Sequence, residues 1–212
     1  HDYHTSVWAA LAAHLAKVPV YIAVRHDCGL MRSLAPMPEW FEKAAYRLTK
    51  KFIAVSHAAK DILIEKDGIP RRKIEVIPNY FDPGAMRDIP DGAALRRHYG
   101  IPEDAKVVGM LSNFLPHKNQ ELLVHAAKKI TAEYASVVFA LGGRGSSYYE
   151  KVRELVGSNG LEGSVFLITE DVRPLTFLPM IDIGVLCSRT EGFGNVVLEY
   201  FYFGKPVIAT KT

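Results

Sequence analysis

Apolar residues fall along this chain in short runs of strand length, and between the runs they recur at helical spacing. The continuous runs are Val20–Val24, Phe52–Val55, Ile74–Ile77, Val107–Leu111, Ser136–Leu141, Val165–Ile168, Ile183–Cys187 and Pro206–Thr210. Intervening stretches are amphipathic: in Gln120–Ile130, Leu122, Leu123, Ala126, Ala127 and Ile130 share one helical face. Strands that are apolar throughout, separated by such helices, predict parallel sheets covered on both faces. The expected class is α/β, doubly wound.

Turn residues interrupt this alternation once. Pro78-Asn79-Tyr80-Phe81-Asp82-Pro83-Gly84, then Pro90-Asp91-Gly92 and Gly100-Ile101-Pro102, read as a linker with a short helix over Ala93–Tyr99. Three strands precede it and five follow. The pattern predicts two lobes, residues 1–88 and 89–212. Both read as incomplete. Three strands are few for a doubly wound lobe with its own core. The last strand stops just before the chain ends, where a parallel strand normally feeds another crossover helix. The expectation is a piece of a longer protein.

Composition narrows the function classes. The 212 residues are 49% hydrophobic and 23% charged, ordinary for a protein with a packed core. With 26 basic and 23 acidic residues the net charge is +3, too balanced to suggest a nucleic-acid partner. Cys28 and Cys187 give neither a metal spacing nor a disulfide framework, which suits a reducing, cytoplasmic compartment. Val7 to Val24 is the closest approach to a membrane span, and His14, Lys17 and Pro19 interrupt it. No Asp-x-Asp and no His/Cys/Asp cluster at metal spacing occurs, so no metal or other cofactor is expected. Ser56-His57 and Ser6 lack the partners of a hydrolase triad.

The most informative chemistry lies after the seventh run. Ser188-Arg189-Thr190 leads into Glu191-Gly192-Phe193-Gly194-Asn195-Val196-Val197-Leu198-Glu199. A strand, glycines and a helix start form a corner where backbone N–H groups attract anions and a ligand can approach the backbone. Glu191 and Glu199 would repel phosphate but accept hydrogen bonds from hydroxyls. If the helix starts near Asn195, Glu199 lies roughly 5–6 Å along its axis and leans back toward the loop. The pair suits a phosphorylated polyol such as a sugar nucleotide. The competing reading is a solvated loop Glu and a first-turn acid on the helix dipole.

Three further corners carry candidates. Lys118 follows Val107–Leu111 at a strand-to-helix turn that includes Asn113 and His117, and a lysine there suits a diphosphate. Gly142-Gly143-Arg144-Gly145 resembles a dinucleotide fingerprint, but Tyr148 stands where its third glycine is needed. Gly143 and Gly145 then either serve a turn that needs glycine conformations or lend amides to the ligand. His26, beyond Val20–Val24, is placed to face a cleft, its tautomer fixed by Asp27 or a backbone carbonyl. A structural or surface histidine is the alternative. Trp40, Phe41, Tyr46, Arg47, Lys50 and Lys51 suggest either a basic, aromatic membrane-facing helix or a core-packed one with a solvated basic edge.

Taken together, these motifs resemble the retaining GT-B glycosyltransferases of group 1, also called glycosyltransferase family four. Ser188 through Glu199, followed by Gly204-Lys205-Pro206-Val207-Ile208-Ala209-Thr210, matches that family's Glu-x7-Glu signature and trailing strand. Phe52-Ile53-Ala54-Val55-Ser56 and Val76-Ile77-Pro78-Asn79 resemble the end of its first lobe, and Val107-Val108-Gly109 through Lys118-Asn119 the opening of its donor lobe. The resemblance implies two Rossmann-like lobes and transfer of a sugar from a nucleotide-diphosphate sugar to an acceptor hydroxyl, with retention, in polysaccharide or glycolipid synthesis. It implies that Glu191 contacts the donor sugar with the amides of Gly192, Phe193 and Gly194, within a donor site that includes Asn195. Glu199 would hold the ribose, Lys118 would neutralise the diphosphate, and His26 would lie near the reacting sugar. Asn113 stands where many members carry an arginine. A sugar or lipid-linked acceptor and peripheral attachment to the inner face of a membrane are further implications. A non-catalytic sugar-nucleotide-binding fragment, an epimerase and a phosphorylase are the alternatives.

Overall fold

In a computed structural model the described residues are 3–26, 29 and 36–212. The chain divides into two compact units, residues 1–80 with 190–193, and residues 81–189 with 194–212.

In the first unit, β1 (Ile22–Arg25), β2 (Lys51–Ala54) and β3 (Ile74–Val76) form a parallel sheet in that order. Helices α1 (Tyr3–Leu15), α2 (Glu39–Leu48) and α3 (His57–Glu65) supply the covering layers. Tyr3, Val7 and Ala10 from α1, Ala45 and Tyr46 from α2, and Ala59 and Leu63 from α3 share one core with Ala23, Phe52 and Ala54 of the strands. Ser56 is the N-cap of α3, accepting from the Ala59 N–H at 3.0 Å, which accounts for it without any triad. Lys73 closes the other end of α2: its Nζ donates to the carbonyls of Tyr46, Arg47 and Thr49. Arg25, the last residue of β1, is buried and ion-paired to buried Asp67 at 2.9 Å.

The second unit holds five parallel strands: β4 (Lys106–Leu111), β5 (Val137–Gly142), β6 (Val165–Ile168), β7 (Ile183–Leu186) and β8 (Val207–Ala209), ordered β6-β5-β4-β7-β8. The two-residue period of β5 splits its side chains between two cores. Phe139 and Leu141 join α5 (Gln120–Glu133) and α6 (Ser147–Ser158) on one face. Val138 and Ala140 join Phe177, Leu178, Ile181 and Tyr200 on the other. The sheet is therefore covered on both faces, as the apolar runs require.

All eight expected strands are present, within a few residues of their expected limits. The short linker helix, α4 (Gly92–His98), begins at an Asp91 cap that accepts from Ala93 and Ala94 N–H. It packs within the second unit: Arg96 donates to the carbonyls of Met180, Glu103 and Ala105 and pairs with Asp182 at 3.0 Å. The remaining helices are a short α7 (Pro174–Phe177) and α8 (Asn195–Tyr202).

Candidate functional site

Because β4 lies between β5 and β7, the crossovers leave β4 in opposite directions at the β4–β7 junction. Ligands of open α/β sheets bind beyond the carboxyl ends of strands at such a switch point. The two strands also separate there. Their register covers Val108↔Ile183 and Gly109↔Gly184 only. Past that pair the hydroxyl of Tyr200, from α8, takes the place of the ladder: it accepts from Leu111 N–H at 2.9 Å and donates to the Val185 carbonyl at 3.2 Å. Burial raises the pKa of this phenol, so it stays a donor at neutral pH. Gly184 makes room for the ring: a Cβ there would lie 2.6 Å from it.

Two loops leave the switch point and are fastened to each other. After β4 comes a single 3-10 turn, Pro116–Lys118, then Asn119 in the left-handed region (φ 59°), then α5. After β7 the chain runs through Cys187, Ser188 and Arg189. Arg189 N–H donates to the His117 carbonyl at 2.8 Å, and Asn119 Nδ2 donates to the Cys187 carbonyl at 3.3 Å. The buried Cys187 thiol, pushed up to about 11 by desolvation, points its Sγ at the Asn119 carbonyl oxygen, 3.3 Å away. From β8's side, Thr210 Oγ1 donates to the Ser188 carbonyl at 2.7 Å. Lys118 thus sits in a turn braced against the very loop that leads to Glu191.

Both helices that start at this junction begin without a side-chain cap. For α5 the cap position is Asn119, whose side chain makes no capping bond. For α8 it is Gly194, with φ 74° and no side chain to offer. Backbone N–H groups at such helix starts are the donors that anions bind. Glu199 lies in the second turn of α8 and is half-buried. Desolvation raises its pKa, and no charge or hydrogen bond opposes that among the described residues. Glu191, Gly192 and Phe193 are half-buried and belong to the segment grouped with the first unit.

The β5 corner differs from its sequence reading. Gly143 does not have positive φ, so turn conformation is not what requires it. Space is: a Cβ would stand 1.9 Å from the Ser112 carbonyl oxygen. Gly145 is open, its nearest approach being Thr169 Cγ2 at 3.8 Å. Exposed Asn113 uses its Oδ1 to accept from Arg144 N–H at 3.3 Å. Buried Gln120 supports the same loop, donating to Ser112 Oγ and the Asn113 carbonyl.

In the first unit, His26 is exposed at the end of β1, next to the anchored Arg25. Asp27 and Cys28 lie outside the described residues. On α2, Glu42, Ala45 and Tyr46 are buried while Trp40 and Arg47 are exposed, as are Lys50 just after the helix and Lys51 at the start of β2; Tyr46 therefore belongs to the core and to no outward aromatic face. Among the described residues no group of three or more His, Cys, Asp or Glu is placed to hold a metal. No described helix is long and apolar enough to cross a membrane.

Sequence reasoning missed Asn119, Gln120, Tyr200 and Thr210. Asn119 alone carried a signal, since asparagine before a helix is common both as a cap and at positive φ.

A doubly wound lobe with open helix N-termini at its switch point, preceded by a smaller parallel unit, defines the Rossmann-like GT-B class. Residues 91–212 match the family of glycosyl transferases group 1, and residues 1–84 match glycosyltransferase family 4. The chain belongs to the group 1 glycosyltransferases. It is similar to mannosylfructose-phosphate synthase of Agrobacterium fabrum, 28% identical over 182 residues, which is 80% of this chain and 39% of that protein. It is also 28% identical over 144 residues to N-acetyl-alpha-D-glucosaminyl L-malate synthase of Bacillus anthracis, covering 67% of this chain and 36% of that one. Anabaena HepE, solved with UDP and glucose, superposes with a TM-score of 0.84 at 25% identity over 99% of this chain and 57% of its own. The chain spans about two-fifths of the length of the curated relatives it matches.

Proposed function

We propose that the protein acts in transferring a hexosyl unit from a nucleoside-diphosphate sugar to an acceptor hydroxyl, with retention of anomeric configuration, in polysaccharide or glycolipid synthesis. The observation that carries this reading is the pair of uncapped helix N-termini at the β4–β7 switch point, with Lys118 at one and Glu199 on the other. The diphosphate is the anion such ends accept, and Glu199 offers acceptors to the ribose hydroxyls. HepE, which binds UDP and glucose, supports a sugar nucleotide as donor.

The chemistry follows from charge. Leaving of the nucleoside diphosphate builds negative charge on phosphate oxygens, and fixed N–H dipoles with Lys118 lower its cost without rearranging. Glu191, with the amides of Gly192, Phe193 and Gly194, is assigned to the donor sugar, Asn195 to the same loop, and His26 to the transferred sugar. Thermal shift with UDP-, GDP- and ADP-sugars tests the reading, because a ligand of the folded state raises the melting point by mass action. One of the three is expected to do so, and Lys118→Ala is expected to weaken it about tenfold or more. If none stabilises the protein, the reading fails. Product anomers distinguished by NMR test retention.

A lipid-linked acceptor is a second, finer reading. It is favoured by Trp8 and Trp40, 59% and 72% exposed, each edge-on to Phe41, near the exposed Arg47, Lys50 and Lys51. Absence of sedimentation with anionic liposomes would remove it.

A further inference from the structure

We propose that Arg144 supplies a second cation to the phosphates of the bound nucleotide, from the β5 loop, beside Lys118 in the β4 loop. The inference rests on the donor-site reading above and adds a residue to it.

Three observations carry it. First, the β5 loop is fixed to the β4 loop by backbone on both sides of Arg144. Arg144 N–H donates to Asn113 Oδ1 at 3.3 Å, and Phe114 N–H donates to the Arg144 carbonyl at 3.1 Å. Gly143 is in contact with the Ser112 carbonyl, and Ser146 Oγ donates to the Phe114 carbonyl. A residue with its N–H and C=O both held this way is not a loosely tethered surface arginine. Its side chain is rooted in the same loop assembly that carries Lys118.

Second, several other cations of the second unit have partners. Arg173 pairs with Asp171, Lys151 with Glu121, and Arg153 with Glu150. Arg189 reaches Asn119 Oδ1 at 3.5 Å and lies in the field of Glu121. Arg144 is exposed and has no acidic partner among the described residues.

Third, the chemistry matches. A guanidinium presents parallel N–H donors that fit two phosphate oxygens at once, which Lys118 as a point charge does not. Asn113 then has a positioning part: its amide oxygen orients the Arg144 backbone and is not itself spent on the ligand.

The test is calorimetric titration of the purified protein with nucleoside, nucleoside monophosphate and nucleoside diphosphate in the uridine, guanosine and adenosine series. Arg144→Gln is expected to weaken the diphosphate of the preferred series about tenfold and to leave its nucleoside within about twofold of wild type. Arg144→Lys is expected to fall between the two proteins. The inference is overturned if Arg144→Gln binds the diphosphate as wild type does, or loses nucleoside and diphosphate by the same factor. Wild-type protein that binds no nucleoside diphosphate would instead overturn the donor-site reading, a result distinguishable from either.

Discussion

Two helices of the second unit start in opposite ways. At α6, Ser146 caps its own helix, accepting from Tyr148 N–H at 3.1 Å. At α8, Gly194 offers nothing, and its left-handed φ removes the usual capping geometry as well. The first end is closed by its own side chain; the second has no such cap. Helix α5 repeats the open arrangement from the neighbouring strand, while α3 and α4 repeat the closed one through Ser56 and Asp91. What distinguishes the open ends of the second unit is position. They are the helices that follow β4 and flank the end of β7, the strands between which the sheet reverses its winding.

The contrast can be broken most severely by closing an open end. Gly194→Asp places a carboxylate at the α8 N-terminus, where it repels phosphate. The substitution is strained, with positive φ and a Cβ 3.1 Å from Leu186 Cδ2, so thermal unfolding of the variant is the control that it still folds, aspartate tolerating positive φ better than most residues. Affinity for the sugar nucleotide, read by calorimetry, is expected to drop on the order of 100-fold, or roughly 2.7 kcal/mol. Unchanged affinity would mean that this helix end is not the anion site.

Glu199→Gln gives a smaller effect with two opposite signs. Burial raises the carboxyl pKa in the folded protein, so ionisation works against folding above that pKa, and stability from this group improves as pH falls through it. The amide removes that penalty and is expected to melt higher at neutral pH. It keeps one acceptor and loses the charge, so nucleotide affinity is expected to fall about tenfold. In the wild type, affinity should begin to decline on acidification at a pH above the usual carboxylate range, and the glutamine variant should not show that decline. A matching decline in both proteins would remove Glu199 from the ribose role.

The smallest effect comes from opening a closed end. Asp91→Ala, at the capped start of α4, should cost about 1 kcal/mol of stability in urea unfolding, with sugar-nucleotide affinity unchanged. If affinity fell instead, capped and uncapped ends would share one function and the distinction between them would be lost.

Much of this was legible in the sequence because burial on both faces writes itself as uninterrupted apolar runs. Val165–Ile168 is observed at the limits its composition implies, and Asn195 begins a helix as expected. Strand order was not legible. Nothing local in Val107–Leu111 says that its neighbours are β5 and β7, since that depends on where the crossovers pack. For the β5 turn, one of the two readings the sequence allows, a need for glycine conformations, fails for a similar reason. A glycine required by an approaching carbonyl and one required by positive φ look alike in sequence, and only the Gly143–Ser112 approach separates them. Asn113 stands where many family members carry an arginine, and no sequence pattern shows that its Oδ1 accepts from the Arg144 backbone. Tyr200 could not have been singled out, because one hydroxyl bridging two strands leaves no periodic trace.

That bridge has a consequence for how the site can change over time. Tyr200 measures the gap between β4 and β7, and Glu199 is the residue before it in the same helix. The carboxylate is therefore surveyed from the strands, independently of the loops. Insertions or substitutions in the loops after β4, β5 and β7 therefore leave the position of Glu199 set by the strands.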